Sequence, residues 1–345
     1  MKILYAVQAN GNGHISRAME LLPYLQQYGT VDIFLSGQNS TLNLDAPITY
    51  RSKGLSLFYT CHGSLNFNKL ITKFNPLNLY KEIRELPVEK YDFIINDFEF
   101  ITSRACKLKK VPSVNFGHQA SFISDKTPRP AIKSRAGEFI LKNYARATNY
   151  IGLHFKQYDD FILTPVIRES IYKAEPKNKK HITIYLPAYC DDVIEKHLSP
   201  LKDFKFELFS AQKKQEETKG NTRFIPVDKT RFNESLVNCH GIITGAGFET
   251  PAEALYLGKK LMVIPVKDHY EQQCNAAALQ QMGIDAVTGL EDSFELNFYQ
   301  WMNRPNAVAK KTGYTTGEIV DRLMCESVAP SYQQWDLIYP GGILC

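Results

Sequence analysis

The stretch GIITGAGFETPAEALYLGKKLMVIPVKDHYEQQCN, residues 241–275, decides the fold. It reads as two strand–turn–helix units in succession. Gly241–Thr244 is a strand, Gly245-Ala246-Gly247 a turn, and Glu249–Leu257 a helix. Pro251 fits the first helical turn, where its missing N–H costs nothing. Leu261–Pro265 is the next strand and Glu271–Met282 the next helix. Glycines between a strand end and a helix start leave first-turn amides free, an anion site suited to phosphate. Thr250 adds a hydroxyl donor, and Glu253, within one turn of that end, can accept hydrogen bonds from a ribose. Glu271 and Asn275 share a helix face at i, i+4, and Gln272 neighbours Asn275 at i, i+3. A tight structural turn and a polar helix start would carry the same letters, so the rest of the chain has to decide.

Outward from there the alternation continues. Lys2–Ala9 reads as a buried strand, Gly11-Asn12-Gly13 as a turn, and Ile15–Tyr28 as a helix with Ile15, Met19, Leu22 and Leu25 on one side. Val31–Leu35 is a second strand and Ile48–Tyr50 a weaker third. Lys69–Leu86 reads as a helix that Pro76 interrupts. Tyr91–Asn96 and Val111–Phe116 are strands flanking a short helix, Ile101–Lys109. Ala131–Ala147 carries Ile132, Ala136, Phe139, Ile140 and Tyr144 on one stripe, an amphipathic helix. Leu163–Lys180, with Pro165, Pro176 and a Lys-Asn-Lys-Lys run, breaks the rhythm. The alternation then restarts with strand Ile182–Leu186, helix Asp191–His197, and strands Phe204–Phe209 and Arg223–Pro226 around an exposed polar turn, 211–221. Everything after Ser293 is less regular. The expected fold class is α/β, two doubly wound Rossmann-like domains facing an interdomain cleft. The expected boundaries are 1–162 for an N-terminal domain, 163–180 for a linker, 181–325 for a C-terminal domain and 326–345 for a tail.

A chain of 345 residues has room for two such domains at roughly 150 residues each. Hydrophobic content of 44% and charged content of 22% exclude disorder, collagen and coiled coil. No stretch approaches the ~20 apolar residues of a membrane span, and MKILYAVQAN lacks the apolar region and cleavage site of a secretory signal. A cytoplasmic location is the expectation, extended to the inner membrane face by the charge described next. Net charge is only +5, too mild to call for nucleic acid, and no nucleic-acid partner is expected. Residues 101–150, however, hold ten Lys and Arg against Asp125 and Glu138. That face suits an anionic lipid surface or substrate, or is simply solvated. The seven cysteines are scattered with no CxxC pair, which argues against a disulfide framework and a cysteine zinc site. No DxD triplet or His/Asp/Glu cluster has ligand spacing, so neither metal nor cofactor is expected.

The loop Asn10-Gly11-Asn12-Gly13-His14 follows the first strand and opens the first helix. As a dinucleotide fingerprint it fails, because Ser16 replaces the third glycine. Ser36, Gly37 and Gln38 also stand where a ribose-binding acid belongs. His14 would face the cleft, where a neutral imidazole can take a proton from an acceptor hydroxyl. Asp97, at the end of the strand YDFIIND, can fix its tautomer and stabilise the imidazolium. The bland readings are a loop cap for His14 and an N-cap of the next helix for Asp97. Asn115, His118 and Gln119 follow another strand and are candidates for the acceptor side.

The run GAGFETPAE (245–253) with EQQCN (271–275) resembles the donor-binding domain of GT-B glycosyltransferases, of the family-28 group of murein and galactolipid enzymes and the broader UDP-glycosyltransferases. The N-terminal loop resembles their Gly-rich GHxxR loop, with Arg17 at the matching position. The resemblance implies that Gly247, Phe248 and Thr250, with the turn Gly245-Ala246-Gly247, contact a diphosphate. It also implies Glu253 on ribose, Glu271 and Gln272 on the sugar, and the loop at Val227 on the base. His14 and Asp97 become the base and its partner, and Asn10, Gly11, Asn12, Gly13 and Arg17 line the cleft. One departure matters: Gly245 stands where many relatives place a histidine, so one cationic phosphate contact is missing, and backbone amides or a residue from the other domain would have to compensate. The expected activity is metal-independent, inverting transfer of a hexosyl group from a nucleotide-sugar, UDP-linked, to an acceptor hydroxyl. The acceptor expected from the charge is a lipid or cell-envelope glycan. A nucleotide-sugar epimerase of the same architecture and a non-catalytic nucleotide-sugar-binding protein are the alternatives.

Overall fold

The computed structural model describes residues 1–37, 40, 42–55, 62, 75–291, 293–305 and 313–326. Two seven-stranded sheets organise them. The first contains β1 (Lys2–Gln8), β2 (Thr30–Ser36), β3 (Tyr50–Ser52), β4 (Phe93–Asp97), β5 (Val114–Gly117), β6 (Asn149–Leu153) and β7 (Ile162–Leu163), in the order β3-β2-β1-β4-β5-β6-β7. The second contains β8 (His181–Tyr185), β9 (Lys205–Ser210), β10 (Glu217–Lys219), β11 (Thr222–Pro226), β12 (Gly241–Gly245), β13 (Lys260–Ile264) and β14 (Asp285–Ala286), in the order β10-β11-β9-β8-β12-β13-β14. Every pairing is parallel except that of β10 with β11.

Parallel strands covered on both faces must be apolar throughout, which is why Ile3–Val7 and the whole of β13 are buried. In each sheet the winding reverses at one place, between β1 and β4 and between β8 and β12. Ligands of such sheets bind beyond the carboxyl ends of the strands at that reversal.

The helices are α1 (Asn12–Leu25), α2 (Pro76–Glu85), α3 (Phe100–Lys109), α4 (Arg135–Asn143), α5 (Glu169–Tyr172) and α6 (Asp191–Leu198), then α7 (Lys229–Asn238), α8 (Glu249–Tyr256), α9 (Tyr270–Gln281), α10 (Phe294–Asn303) and α11 (Thr316–Glu326). Several depart from the sequence expectations for physical reasons. Pro76 opens α2 instead of interrupting it, with Asn75 capping the helix by accepting from the Asn78 amide at 3.1 Å. The residues before Asn75 in the expected helix, Gln38, and the tail beyond Glu326 lie outside the described residues. The stripe expected to bury the 131–147 helix is instead open: Ile132, Phe139 and Ile140 are 89%, 68% and 52% exposed, and α4 is shorter, packing through Gly137 and Leu141. A β-carbon on Gly137 would lie 2.3 Å from Cγ of Tyr270 on α9, so only glycine lets the two helices meet. The region after Ser293 contains α10, whose Phe294, Phe298 and Trp301 fill the second core with Phe206.

α11 returns to the first sheet's side. Ile319, Val320 and Leu323 join Leu21, Leu22 and Leu25 of α1 in one apolar cluster, and Tyr28 Oη donates to Asp321 at 2.6 Å. The same cluster includes Leu255 of α8 and Leu279 of α9, so the two domains share a dry seam. Cys106, Cys239 and Cys274 are buried free thiols, as expected of small core residues. Cys190, in contrast, is disulfide-bonded, against the expectation of no such bond. Among the described residues, no helix is long and apolar enough to cross a membrane.

Candidate functional site

The cleft between the sheets encloses about 360 Å³, within the range of small-molecule sites. Its walls come from strand ends, as the winding reversals require. Asn10, Gly11, Asn12, Gly13, His14 and Arg17 follow β1, His118 and Gln119 follow β5, and Tyr185–Tyr189 follow β8. Gly245, Gly247, Phe248, Glu249 and Thr250 follow β12, and Val266, His269, Glu271 and Gln272 follow β13.

Two helices aim their N-termini into this space. Gly11 and Phe248 are the N-caps of α1 and α8, and neither end has a side-chain cap. First-turn amides have no partner inside a helix, so both ends offer donors and positive potential to an anion. Gly11 has φ +100°, a conformation only glycine takes freely. A side chain at Gly247 would meet nothing within 4 Å, so glycine there leaves the cleft open beside the turn.

Facing that end lies a charged cluster in the first domain. His14 Nδ1 is 2.9 Å from Asp97 Oδ1. Arg17 clasps the same carboxylate, from Nη2 at 2.7 and 2.9 Å and from Nε at 3.2 Å. Asp97 is wholly buried and Arg17 nearly so. Burial alone would raise the Asp97 carboxyl; the Arg17 guanidinium and His14 outweigh it and hold Asp97 below its usual range. Nδ1 of His14 also lies 3.0 Å from Arg17 Nη2, a donor. The tautomer assigned by the bonding partners donates Nδ1–H to Asp97 and leaves Nε2 bare. Gln119 Nε2 stands 3.5 Å from that bare nitrogen, on the cleft side.

Both bland readings of these residues fail. Gly11 occupies the cap of α1. The cap of α3 is Glu99, which accepts from the amides of Ile101 and Thr102 at 2.9 and 2.6 Å. Asn96 ties that turn together through both main-chain groups of Glu99. Phe98 between them is held at φ +53°, unusual for a bulky residue. Asp97 is thereby freed for His14 and Arg17. Gly117 completes the support: its φ is +138°, and a β-carbon there would sit 2.8 Å from Asp97 Oδ1 and 3.2 Å from Arg17 Nη2. Gly117→Ala is expected to cost about 1–3 kcal/mol of stability and to displace Asp97; denaturant unfolding checks the first and turnover the second.

The other expected site residues divide. Glu271 and Gln272 line the cleft, and Gln272 Oε1 also accepts from the Val266 amide at 3.0 Å. Val227 and Thr250 line both the cleft and a side pocket with Asn12, Tyr185, Lys229 and Phe232. Glu253 reaches that pocket but is 2% exposed, with its two oxygens each 2.5 Å from Arg168. Phe248 offers only its backbone, since its ring stacks on His118 at 4.1 Å.

Three expectations are corrected. Asn115 does not line the cleft: it is 3% exposed and donates to the Ala145 carbonyl at 2.6 Å. Asn275 lies behind the wall, fully buried, donating to the Ala246 carbonyl at 3.0 Å and facing His118 Nε2 at 2.6 Å. Ala246 is buried with it and contributes no lining atom. Asn275 and Ala246 thus shape the turn instead of touching a ligand.

Sequence reasoning misses Glu249, Arg168, Tyr185, Tyr189 and His269. Tyr185 ends β8, the counterpart of β1 in the second sheet, and comparing the two domains would have found it. Glu249 sits inside the diagnostic run, yet an acid at an anion site argues against itself. Its carboxylate pairs with Arg17 across the cleft. Burial, together with Asp97 and Glu253, pushes it up to about 7 against the pull of Arg17 and His14.

Two Rossmann-like domains facing one cleft, with uncapped helix ends on both walls and a His–Asp pair on the first, make up the GT-B fold. The model of glycosyl transferase family 1 matches residues 1–300, and the chain belongs to that family. No curated protein matches it in sequence. Among solved structures it is similar to Arabidopsis thaliana UGT89C1 complexed with quercetin, at 14% identity over 94% of this chain and 99% of that one, TM-score 0.60. It is also similar to the glycosyltransferase of kitacinnamycin, at 13% identity over 98% of both chains, TM-score 0.54. A UDP-N-acetylglucosamine 2-epimerase shares the architecture, at 14% identity over 97% of both chains, TM-score 0.53. At these identities the likeness is one of fold.

Proposed function

We propose that the enzyme is a metal-independent, inverting transferase that moves a sugar from a UDP-linked donor to an acceptor hydroxyl. The observation that carries this reading is the placement of the His14–Asp97 pair opposite the uncapped N-terminus of α8 in one cleft. His14 Nε2 takes the acceptor proton as the hydroxyl attacks the anomeric carbon. Asp97 holds the imidazole in the required tautomer and balances the charge it gains. The diphosphate leaves toward the amides of Gly247–Thr250, whose dipole stabilises the developing charge. Direct displacement by the acceptor inverts the anomeric centre. Asp97, sealed behind Arg17 and His14, is in no position to act as a nucleophile.

In this reading the side pocket at Val227 and Phe232 takes the base, Glu253 with Arg168 the ribose, and Glu271 with Gln272 the sugar hydroxyls. UGT89C1 has been solved with UDP and with UDP-L-rhamnose, which supports a UDP-sugar as donor. The kinship with the family-28 enzymes rests on the 245–253 turn and the 271–275 run. An acceptor of lipid or envelope-glycan type, reached at the inner face of an anionic membrane, is supported by exposed Ile132, Phe139 and Ile140 beside Lys133, Arg135 and Lys142.

A thermal-shift panel of nucleotide-sugars tests the donor. The correct one at 100 times its dissociation constant adds about 2.7 kcal/mol of stability. UDP release that depends on an added acceptor pool then tests transfer. A panel without any shift, or donor converted with no acceptor present, defeats the proposal.

A further inference from the structure

Arg17 holds two carboxylates from two domains. Nε and Nη2 are committed to Asp97, while Nη1 reaches across to Glu249. Glu249 is the first residue of α8, so its carboxylate stands at the helix end that receives a diphosphate in the proposed reaction. The side chain has little freedom: a β-carbon on Gly13 would sit 3.3 Å from Glu249 Cγ. A diphosphate at that end calls for a cation, and no lysine or arginine other than Arg17 lines the main cleft among the described residues.

We infer that Arg17 supplies that cation through Nη1, and that Glu249 occupies it until a diphosphate arrives, the exchange taking up one proton on Glu249. The inference rests on the reading of this cleft as a diphosphate site. Charge gives the reason. Arg17 with Asp97 and Glu249 carries a net negative charge, so a diphosphate laid against α8 would meet an ionised Glu249 as a like charge in a half-dry site. A neutral Glu249 removes the repulsion and frees Nη1, while Nε and Nη2 stay on Asp97 and keep the catalytic pair in place. The groups facing Glu249 are Arg17 and His14 from α1, Asp97 from the end of β4, and Glu253 on its own helix, with Tyr5 and Arg168 further out. Burial places the carboxyl at about 7, where this exchange is within reach of neutral solution.

The test is calorimetric titration with UDP, and with methyl diphosphate, which lacks the nucleoside, at pH 7.0 and 8.5. The second ionisation of a phosphate, near pH ~6, is then largely complete. In the wild type, affinity for both is expected to fall by about tenfold per pH unit above the carboxyl's midpoint, with a proton taken up, read from two buffers of different ionisation heat. Glu249→Gln keeps Arg17 paired with Asp97 and so should fold; its affinity should be nearly flat over this interval and at least about tenfold tighter than wild type at pH 8.5. His14 is present in both proteins, so any proton it contributes cancels in the comparison. A wild type that binds UDP with no pH slope, or a Glu249→Gln enzyme that keeps the slope, overturns this inference and leaves the transferase reading standing. Proton-linked binding of methyl diphosphate without UDP binding upholds the inference and overturns the nucleoside reading. Binding of neither ligand overturns both.

Discussion

His14→Ala is expected to lower transfer by about 10²–10⁴-fold while leaving the dissociation constant for UDP within a factor of about two. The size follows from what is removed. Nε2 is the ring nitrogen of the Asp97 pair that faces the cleft, and its loss leaves the acceptor hydroxyl to deprotonate into water. The helix end and the 245–250 turn keep their own donors when the ring is removed. A rate measured as acceptor-dependent UDP release, set beside calorimetry with UDP, separates the two effects. Undiminished turnover would reassign the base, with Glu271 as the next carboxylate in the cleft.

Asp97→Ala should do more damage of a different kind. It strips Arg17 of three close contacts and leaves a buried guanidinium with Glu249 as its remaining carboxylate. Removing one partner of a buried ion pair costs about 3–5 kcal/mol, because the remaining charge is neither solvated nor balanced. Urea unfolding should show that loss at pH 7. The pH dependence gives a second check. The folded pKa of Asp97 lies below its ordinary value, so its contribution is complete above the ordinary carboxylate range and is lost as the pH falls through the folded value. The wild-type advantage over Asp97→Ala should therefore hold from neutrality down to about pH 5 and shrink in stronger acid. Asp97→Asn retains the shape and should be milder in stability, yet it too should lose turnover, because the imidazole tautomer is no longer enforced.

The doubly wound class was legible because parallel strands buried on both faces must be apolar runs, and Ile3–Val7, Phe93–Ile95 and Leu261–Ile264 are such runs. His14 and Asp97 could be picked out because both follow strands at the winding reversal, where the fold delivers side chains to ligands. Other residues resisted for equally physical reasons. Asn115 and Asn275 show that a polar letter beside a site does not reveal whether it meets a ligand or a main-chain carbonyl. The helical stripe of Ile132, Phe139 and Ile140 has the period of a buried face, yet period alone does not say what lies opposite. Pro76 breaks a helix or begins one depending on where the preceding cap lies, and Asn75 was the clue. Glu249 needed the other domain in view, because its meaning comes from Arg17, distant in sequence.

The return of α11 to α1 means that the polypeptide passes between the two lobes twice, once between Leu163 and His181 and again before Thr316. Two tethers fix an axis. Any relative movement of the lobes is thereby constrained at both crossings, which favours rotation about the line that joins them over translation. Deleting the segment from Thr316 onward would remove one tether and uncover Leu21, Leu22 and Leu25, so α11 is a strut of the first lobe rather than an appendage of the second.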